Sequence, residues 1–283
     1  MDHRISYALY CAVIVSLGGF VFGFDAAVIS GVVGAVTVEF DLTPIQSGFV
    51  VAAPTLSGVF GTLVIGPLSD ALGRKKVLIL IAFLYLLSAV ASAFATSYMM
   101  LVVARAIGGL AFTSLMIAPM YIAEIAPAKL RGKLVSINQL NIVIGLSAAY
   151  FANYFIINAS TSGAEWVAAW GVDANTWRWM LGVEIIPATI FFLGLFMIPD
   201  SPRWLTNNGR EQEARVVLAK LMPSDQVDSE IEVIKNSYDS ENGALWMRIK
   251  SVLGPKMRLA LIVGIIVGVV QQITGINAIF FYA

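Results

Sequence analysis

The chain has 283 residues, 18 basic and 18 acidic side chains, and a formal net charge of zero. Charged residues are 13% of the total, about half the ~25% of soluble domains; apolar residues are 58% and mean hydropathy is +0.82. That balance excludes intrinsic disorder and a basic nucleic-acid-binding surface, while one cysteine (Cys11) and one histidine (His3) exclude a disulfide framework and a histidine-based metal site. A membrane protein is what these numbers leave.

A helix needs about 20 mostly apolar residues to cross the hydrocarbon core. Seven stretches meet that length: 6–34, 44–66, 77–95, 98–122, 134–157, 177–198 and 257–283. The first contains Asp25 and is too long for the apolar region of a signal peptide, so it reads as an uncleaved span. Thr43–Pro44 opens the second with a capping side chain and a proline at the first helical position. Trp166, Trp170, Trp177 and Trp179, around the start of the sixth, suit an interfacial aromatic belt. The stretches are continuously apolar, whereas barrel strands alternate, which rejects a β-barrel.

Residues 199–256 carry 17 charged side chains, residues 1–198 carry 18, and Arg258 alone follows. The middle block therefore lies outside the membrane. Ser201–Pro202 starts a helix there, and Glu211–Leu221 places Ala214, Val217, Leu218 and Leu221 on one face. A second helix passes through Ile231 and Ile234. The expected fold is all-α: a six-helix transmembrane bundle over 1–198, an amphipathic helical segment over 199–256, and the start of a seventh span over 257–283.

With the N-terminus in the cytoplasm, Arg4, Arg74, Lys75, Lys76, Lys129, Arg131, Lys133 and the nine basic residues from Arg203 to Arg258 all fall inside. The outer loops then carry none, which satisfies the positive-inside rule and implies a multi-pass protein of the cell membrane.

Three ionisable residues lie deep in the spans: Asp25, Arg105 and Glu184. Each costs about 2.5–3.5 kcal/mol at a helix centre, so they should face the bundle interior and find partners. The rise per residue puts all three in one layer. An Asp25–Arg105 pair is thus possible, either as a proton-coupling switch or as a permanent pair that pins helices.

Amides also interrupt the apolar runs. Gln271, Gln272 and Asn277 stand in the last, Gln139 and Asn141 early in the fifth. Each offers donors and acceptors, which suits a hydroxylated ligand with Phe22, Phe280 and Phe281 available for stacking. Any one of them reads equally well as interhelical glue. Gln272 and Asn277 are about 140° apart on a straight helix, and unwinding at Gly275 would let them converge. Gly19–Gly23 and Gly264–Gly268 have the spacing of close helix packing, and Asn158-Ala-Ser160 is a glycosylation sequon. No phosphate-binding loop, metalloprotease helix or nucleophile–base–acid set is present, so neither catalysis nor a cofactor or metal is expected.

The same residues form a recognisable set. Gly66-Pro-Leu-Ser-Asp70-Ala-Leu-Gly73-Arg74-Lys75-Lys76 resembles the signature loop of the major facilitator superfamily. Gly18-Gly-Phe-Val-Phe22-Gly-Phe-Asp25, Arg105-Ala-Ile-Gly-Gly, Pro119-Met-Tyr-Ile-Ala-Glu124-Ile-Ala-Pro-Ala-Lys-Leu-Arg131-Gly, Asn138-Gln139-Leu, Pro199-Asp-Ser-Pro-Arg203-Trp-Leu and Gln271-Gln-Ile-Thr-Gly-Ile-Asn277 narrow the resemblance to its sugar porters, in the family's order. The resemblance implies two six-helix halves with a monosaccharide between them, of which this chain is the N-terminal half, a cytoplasmic helical segment and part of the seventh helix. It implies sugar contacts at Phe22, Gln139, Gln271, Gln272 and Asn277. It places Asp25 at the proton-coupling carboxylate of xylose–proton symporters, with Arg105 and Glu184 at its linked positions. Asp70, Arg74, Glu124, Arg131, Asp200 and Arg203 match the cytoplasmic charge network that shuts the outward-open state on the inside. The implied partners are a monosaccharide, protons, the lipid bilayer and the C-terminal half of the same transporter, with no nucleic acid. Ala71, Leu146 and Phe281 depart from the pattern, the last two at positions that bear on the sugar. A facilitative sugar uniporter and a transporter-like sugar sensor are the alternatives.

Overall fold

The computed structural model describes residues 3–127, 129–241, 254 and 257–275. Among them, six helices are long and apolar enough to cross a membrane. Helix α1 is His3–Glu39, α2 Pro44–Leu72 and α3 Arg74–Ala93. The fourth crossing has two halves, α4 (Tyr98–Leu110) and α5 (Ser114–Ile125), joined by a tight helical turn over Ala111–Thr113. Helix α6, Arg131–Ser160, is the fifth crossing, and the short α7 (Glu165–Ala169) follows it. The sixth crossing is also split, into α8 (Thr176–Val183) and α9 (Ile185–Gly194). Helices α10 (Pro202–Asn207), α11 (Glu211–Leu221) and α12 (Ser224–Glu241) come next, and α13 (Arg258–Ile273) lies within the seventh apolar stretch.

Most helices overrun the hydropathy boundaries at polar ends. α1 continues to Glu39, α2 to Leu72, and α3 begins at Arg74 rather than 77. A hydropathy window stops at a charge, but a backbone keeps its helical hydrogen bonds wherever its polar side chains find water or partners. The start of α2 agrees with the sequence: Thr43 Oγ1 accepts from Gln46 N, and Gln46 Oε1 accepts from Thr43 N at 2.9 Å, a reciprocal capping box. The break between α8 and α9 has a covalent cause. Pro187 has no N–H to give the carbonyl of Val183, four residues earlier, and the chain turns at Glu184, whose N–H bonds Leu181 O at 3.3 Å.

Glycine sets the packing of the bundle. A Cβ on Gly145 would lie 2.0 Å from Phe20 O, and one on Gly23 would lie 2.1 Å from Ile142 O, so α1 and α6 touch backbone to backbone. A Cβ on Gly109 would meet Pro54 O at 2.0 Å, and one on Gly108 would meet Ser88 Oγ at 2.5 Å, which brings α4 hard against α2 and α3. Asn153 Nδ2 donates to Val28 O at 3.1 Å and Asn141 Nδ2 to Ser16 Oγ at 2.5 Å, so two amides fasten the same α1–α6 seam. Asn141 therefore has the role of glue.

The segment after the sixth crossing is amphipathic, as its pattern requires. Ala214, Val217, Leu218 and Leu221 are buried on α11, and Val227, Ile231 and Ile234 on α12. Helix α11 packs on the start of α1, with Lys220 Nζ 5.6 Å from the centre of the Tyr7 ring. Across α11 and α12, Lys235 bonds Glu211 Oε2 at 2.6 Å and Arg215 bonds Glu211 Oε1 at 2.9 Å. Those two bonds, Lys235's first, hold the Glu211 carboxyl below its ordinary range.

Replacing Gly145 with alanine should destabilise the protein in detergent by about 1–3 kcal/mol, because the α1–α6 backbone contact must open. Gly34→Ala, where a Cβ meets nothing within 4 Å, should leave thermal unfolding essentially unchanged.

Candidate functional site

Three polar constellations sit on this frame, one at mid-depth and one at each end of the bundle. The central one contains the three deep charges. Asp25 of α1, Arg105 of α4 and Glu184 at the α8–α9 break are each 2% exposed. Arg105 Nη1 donates to Asp25 Oδ1, and Nη2 reaches Asp25 O at 3.4 Å. Glu184 lies within electrostatic reach of both. Tyr85 of α3, fully buried, is in reach of the two carboxylates, and its hydroxyl is 3.1 Å from Ser114 Oγ. Two atoms of the ion pair, Asp25 Oδ2 and Arg105 Nε, are buried without a hydrogen-bond partner among the described residues. One direct contact and a longer one to the Asp25 carbonyl hold the pair, with the Glu184 carboxyl beside Asp25.

The glycines after Arg105 explain how it gets there. Gly108 and Gly109 sit one turn on and let α4 approach two helices at once, while Ser88 Oγ clasps Ala104 O at 2.8 Å. The guanidinium is thereby delivered from a backbone gripped on both sides.

The residues expected around a ligand are placed differently. Phe22, half-buried one turn before Asp25, stacks edge-to-face on Phe112 with centroids 4.8 Å apart. Gln139 is exposed on α6, about a quarter-turn round from the face where Asn138, Gly145, Ala149 and Asn153 are buried. Gln271 is exposed on α13, and Gln272 is in the same helix. That helix ends at Ile273, and Gly275 takes a left-handed φ of +70°, which is where unwinding was expected. Asn277, Phe280 and Phe281 lie outside the described residues.

The end of the bundle that carries the basic loops holds a second cluster. Arg74 Nε bonds Glu124 Oε1 at 3.1 Å, Nη2 bonds Asp70 Oδ1 at 3.0 Å, and Nη1 donates to Ser69 O at 3.1 Å. Glu124 Oε2 accepts a hydrogen bond from Ser201 Oγ, the N-cap of α10. Trp204, on α10, donates its indole N–H to Asp70 O at 2.9 Å. Its ring closes over Gly73, where a Cβ would lie 2.9 Å away and φ is +93°, so glycine is required there on two counts. Tyr121 Oη donates to Pro199 O at 2.7 Å. Arg203 lies in electrostatic reach of Glu124, and Asp200 Oδ1 is buried without a hydrogen-bond partner among the described residues. Arg131 stands exposed at the start of α6 and, with Glu124, Gln226 and Glu230, lines a cavity of about 420 Å³ between the bundle and α12. Sequence reasoning found the charges here and missed the contacts of Ser201, Trp204 and Tyr121. Ser201 had been visible only as a helix cap.

The far end has a cluster that the sequence did not announce. Glu39, at the end of α1, accepts from Trp177 Nε1 at 2.5 Å and from Arg178 Nη1 at 2.9 Å. Arg178 also donates to Ala95 O at 2.9 Å, and its guanidinium lies 4.2 Å from the Trp177 ring centre. Trp177 is 3% exposed, so it belongs to the core and not to the interfacial belt; Trp166 and Trp170 remain exposed, and Trp170 lies 6.0 Å from Trp179.

Residues 11–283 match the family profile described as sugar (and other) transporter. Among curated proteins, the chain is 37% identical over 285 residues to an arabinose-proton symporter of Bacillus subtilis, covering 99% of the chain and 59% of that protein. It is 33% identical over 312 residues to the D-xylose-proton symporter of Escherichia coli, covering all of the chain and 60% of that protein. Among solved structures, the proton:xylose symporter XylE bound to 6-bromo-6-deoxy-D-glucose superposes with a TM-score of 0.83 at 32% identity, over 98% of this chain and 62% of that one. The chain thus spans about three-fifths of the length of these relatives.

Within the basic-end cluster, Glu124 is the buried partner and Asp70 the exposed one, their side chains being 8% and 71% accessible. Glu124→Gln should cost about 1.5–3 kcal/mol of stability, the worth of hydrogen bonds to a charged group. Asp70→Asn should cost no more than about 1 kcal/mol. Denaturant unfolding of the two variants in detergent ranks them.

Proposed function

Because the chain belongs to the sugar transporter family of the major facilitator superfamily, we propose that it is part of a monosaccharide carrier driven by proton symport. The observation that carries the proton-coupled reading is the ion cluster of Asp25, Arg105 and Glu184, each 2% exposed within membrane-crossing helices. Charges at that depth are expensive, and an ionisable group inside a membrane span marks a functional site by default. Two of the relatives named above are proton symporters for pentoses.

In this reading a proton neutralises Asp25 and removes the counter-charge that holds Arg105 Nη1. The unsatisfied Asp25 Oδ2 is the atom open to it. Arg105, left with Glu184, then permits α1 and α4 to shift relative to each other, and the bundle rocks between outward- and inward-facing states. Phe22, Gln139, Gln271, Gln272 and Asn277 bind the sugar: the exposed Gln139 face of α6 turns toward the central cavity, and the amides supply paired donors and acceptors to its hydroxyls. The protein sits in the cell (plasma or inner) membrane, and its basic end and N-terminus are cytoplasmic, in keeping with the positive-inside rule. Asp70, Arg74, Glu124, Arg131, Asp200 and Arg203 form the cytoplasmic network that strengthens the outward-open state.

Asp25→Asn keeps the shape of the side chain and removes its titration. In the complete transporter carrying this sequence, the variant should lose accumulation of arabinose, xylose or glucose against a gradient while still exchanging labelled for unlabelled sugar. Undiminished accumulation would remove Asp25 from the coupling, whereas a parent protein that only equilibrates sugar would be a facilitator.

A further inference from the structure

We infer that Glu39, Trp177 and Arg178 form a clasp that positions Glu184 against the Asp25–Arg105 pair, and so act as positioning residues for proton coupling. The inference rests on the symport reading above.

Helix α8 is short. It has eight residues, Thr176–Val183, and ends at the break enforced by Pro187. A helix this short is held by its tertiary contacts: Met180 and Leu181 are buried at its middle, and polar contacts fix its start. At its start, Trp177 and Arg178 seize both carboxylate oxygens of Glu39 on α1, and Arg178 also bonds Ala95 O beyond the end of α3. Trp177 is wedged into the core, with its ring 6.0 Å from that of Phe40. At its other end, six residues or about 9 Å inward, stands Glu184.

The first and last points of α8 therefore bear on the same partner helix. Glu39 and Asp25 are both on α1, which runs unbroken from His3 to Glu39. Fixing Arg178 on Glu39 fixes how far Glu184 reaches along α1 toward Asp25. Below Glu184, Pro187 removes one hydrogen bond across the junction while Ala188 N–H still bonds Glu184 O at 3.1 Å, so α9 and the clasp hold Glu184 from opposite sides. The groups in reach of Glu184 are Asp25 from α1, Arg105 from α4 and Tyr85 from α3. A small slide of α8 changes its distance to each.

The clasp is partly open to solvent, with the side chains of Arg178 and Glu39 23% and 36% exposed. It can therefore be weakened without opening the core. Trp177 and Arg178 both act on the Glu39 carboxylate, which makes the three residues' effects interdependent.

The test uses the complete transporter in liposomes, with sugar-driven proton uptake recorded as a function of pH and sugar exchange recorded separately. Glu39→Gln, Arg178→Lys and the double variant should each keep exchange. Each should move the half-maximal pH of proton uptake by about half a unit or more, roughly a threefold change in apparent proton affinity. The double variant should move it no further than the larger single change. Trp177→Phe, which removes one donor and keeps the wedge, should shift it in the same direction and by less. Unchanged pH profiles in correctly folded variants, or shifts that simply add in the double variant, would overturn the positioning role. If the parent itself takes up sugar without protons, the symport reading fails first; a coupled parent with indifferent variants rejects the clasp alone.

Discussion

A charge that has left water must carry its partner with it, and the fold is organised around that requirement. Arg105 and Asp25 are buried to the same degree at the same depth, and burying either alone would cost several kcal/mol. The helices that bear them must approach closely enough for one guanidinium to reach one carboxylate. Gly108 and Gly109 fix the backbone of α4 by admitting α2 and α3 to van der Waals contact with it, and Gly23 and Gly145 fix α1 against α6, so each charged side chain leaves a firmly held helix. The small residues of this chain thus serve its charged ones. The proline at 187 acts in the opposite sense, opening the sixth crossing where the third charge sits.

The two ends of the bundle solve different problems with similar parts. At the basic end, Arg74 gathers Asp70, Glu124 and Ser69 O, and α10 is drawn in through Ser201 and Trp204. Three of those contacts join crossing helices to one another and two reach α10, so this cluster couples crossing helices to the segment over 199–256. At the far end, Arg178 gathers Glu39, Ala95 O and the Trp177 ring, all from within the bundle. One cluster ties the bundle to its surroundings and the other fixes the bundle to itself. Under the symport reading, the first belongs to the moving gate and the second to the rigid reference against which protonation is felt.

Much of this was legible in the residue order. The six crossings, the capped start of α2, the buried face of α11 and the common depth of Asp25, Arg105 and Glu184 follow from hydropathy, capping chemistry and rise per residue. What could not be read was partnership across long stretches of chain. Glu39 and Arg178 are 139 residues apart, and Ser201 is 77 residues from the carboxylate it serves; no periodicity carries such information. Trp177 was misplaced for a related reason. Composition gives a tryptophan near a span end to the interface, and only the position of Glu39 shows that this one turns inward. The amides divided likewise: Asn141 found Ser16 on the neighbouring helix, while Gln139, two residues earlier, is on an exposed face.

The central claim is that the buried charges couple sugar movement to a proton. It is tested most directly by placing the complete transporter in weakly buffered liposomes and adding arabinose, xylose or glucose outside while recording external pH. Symport requires the medium to become alkaline as the transported sugar enters, with the rise abolished by a protonophore. Sugar entry at an unchanging external pH would contradict the account and leave the Asp25–Arg105 pair as a fastening between two helices.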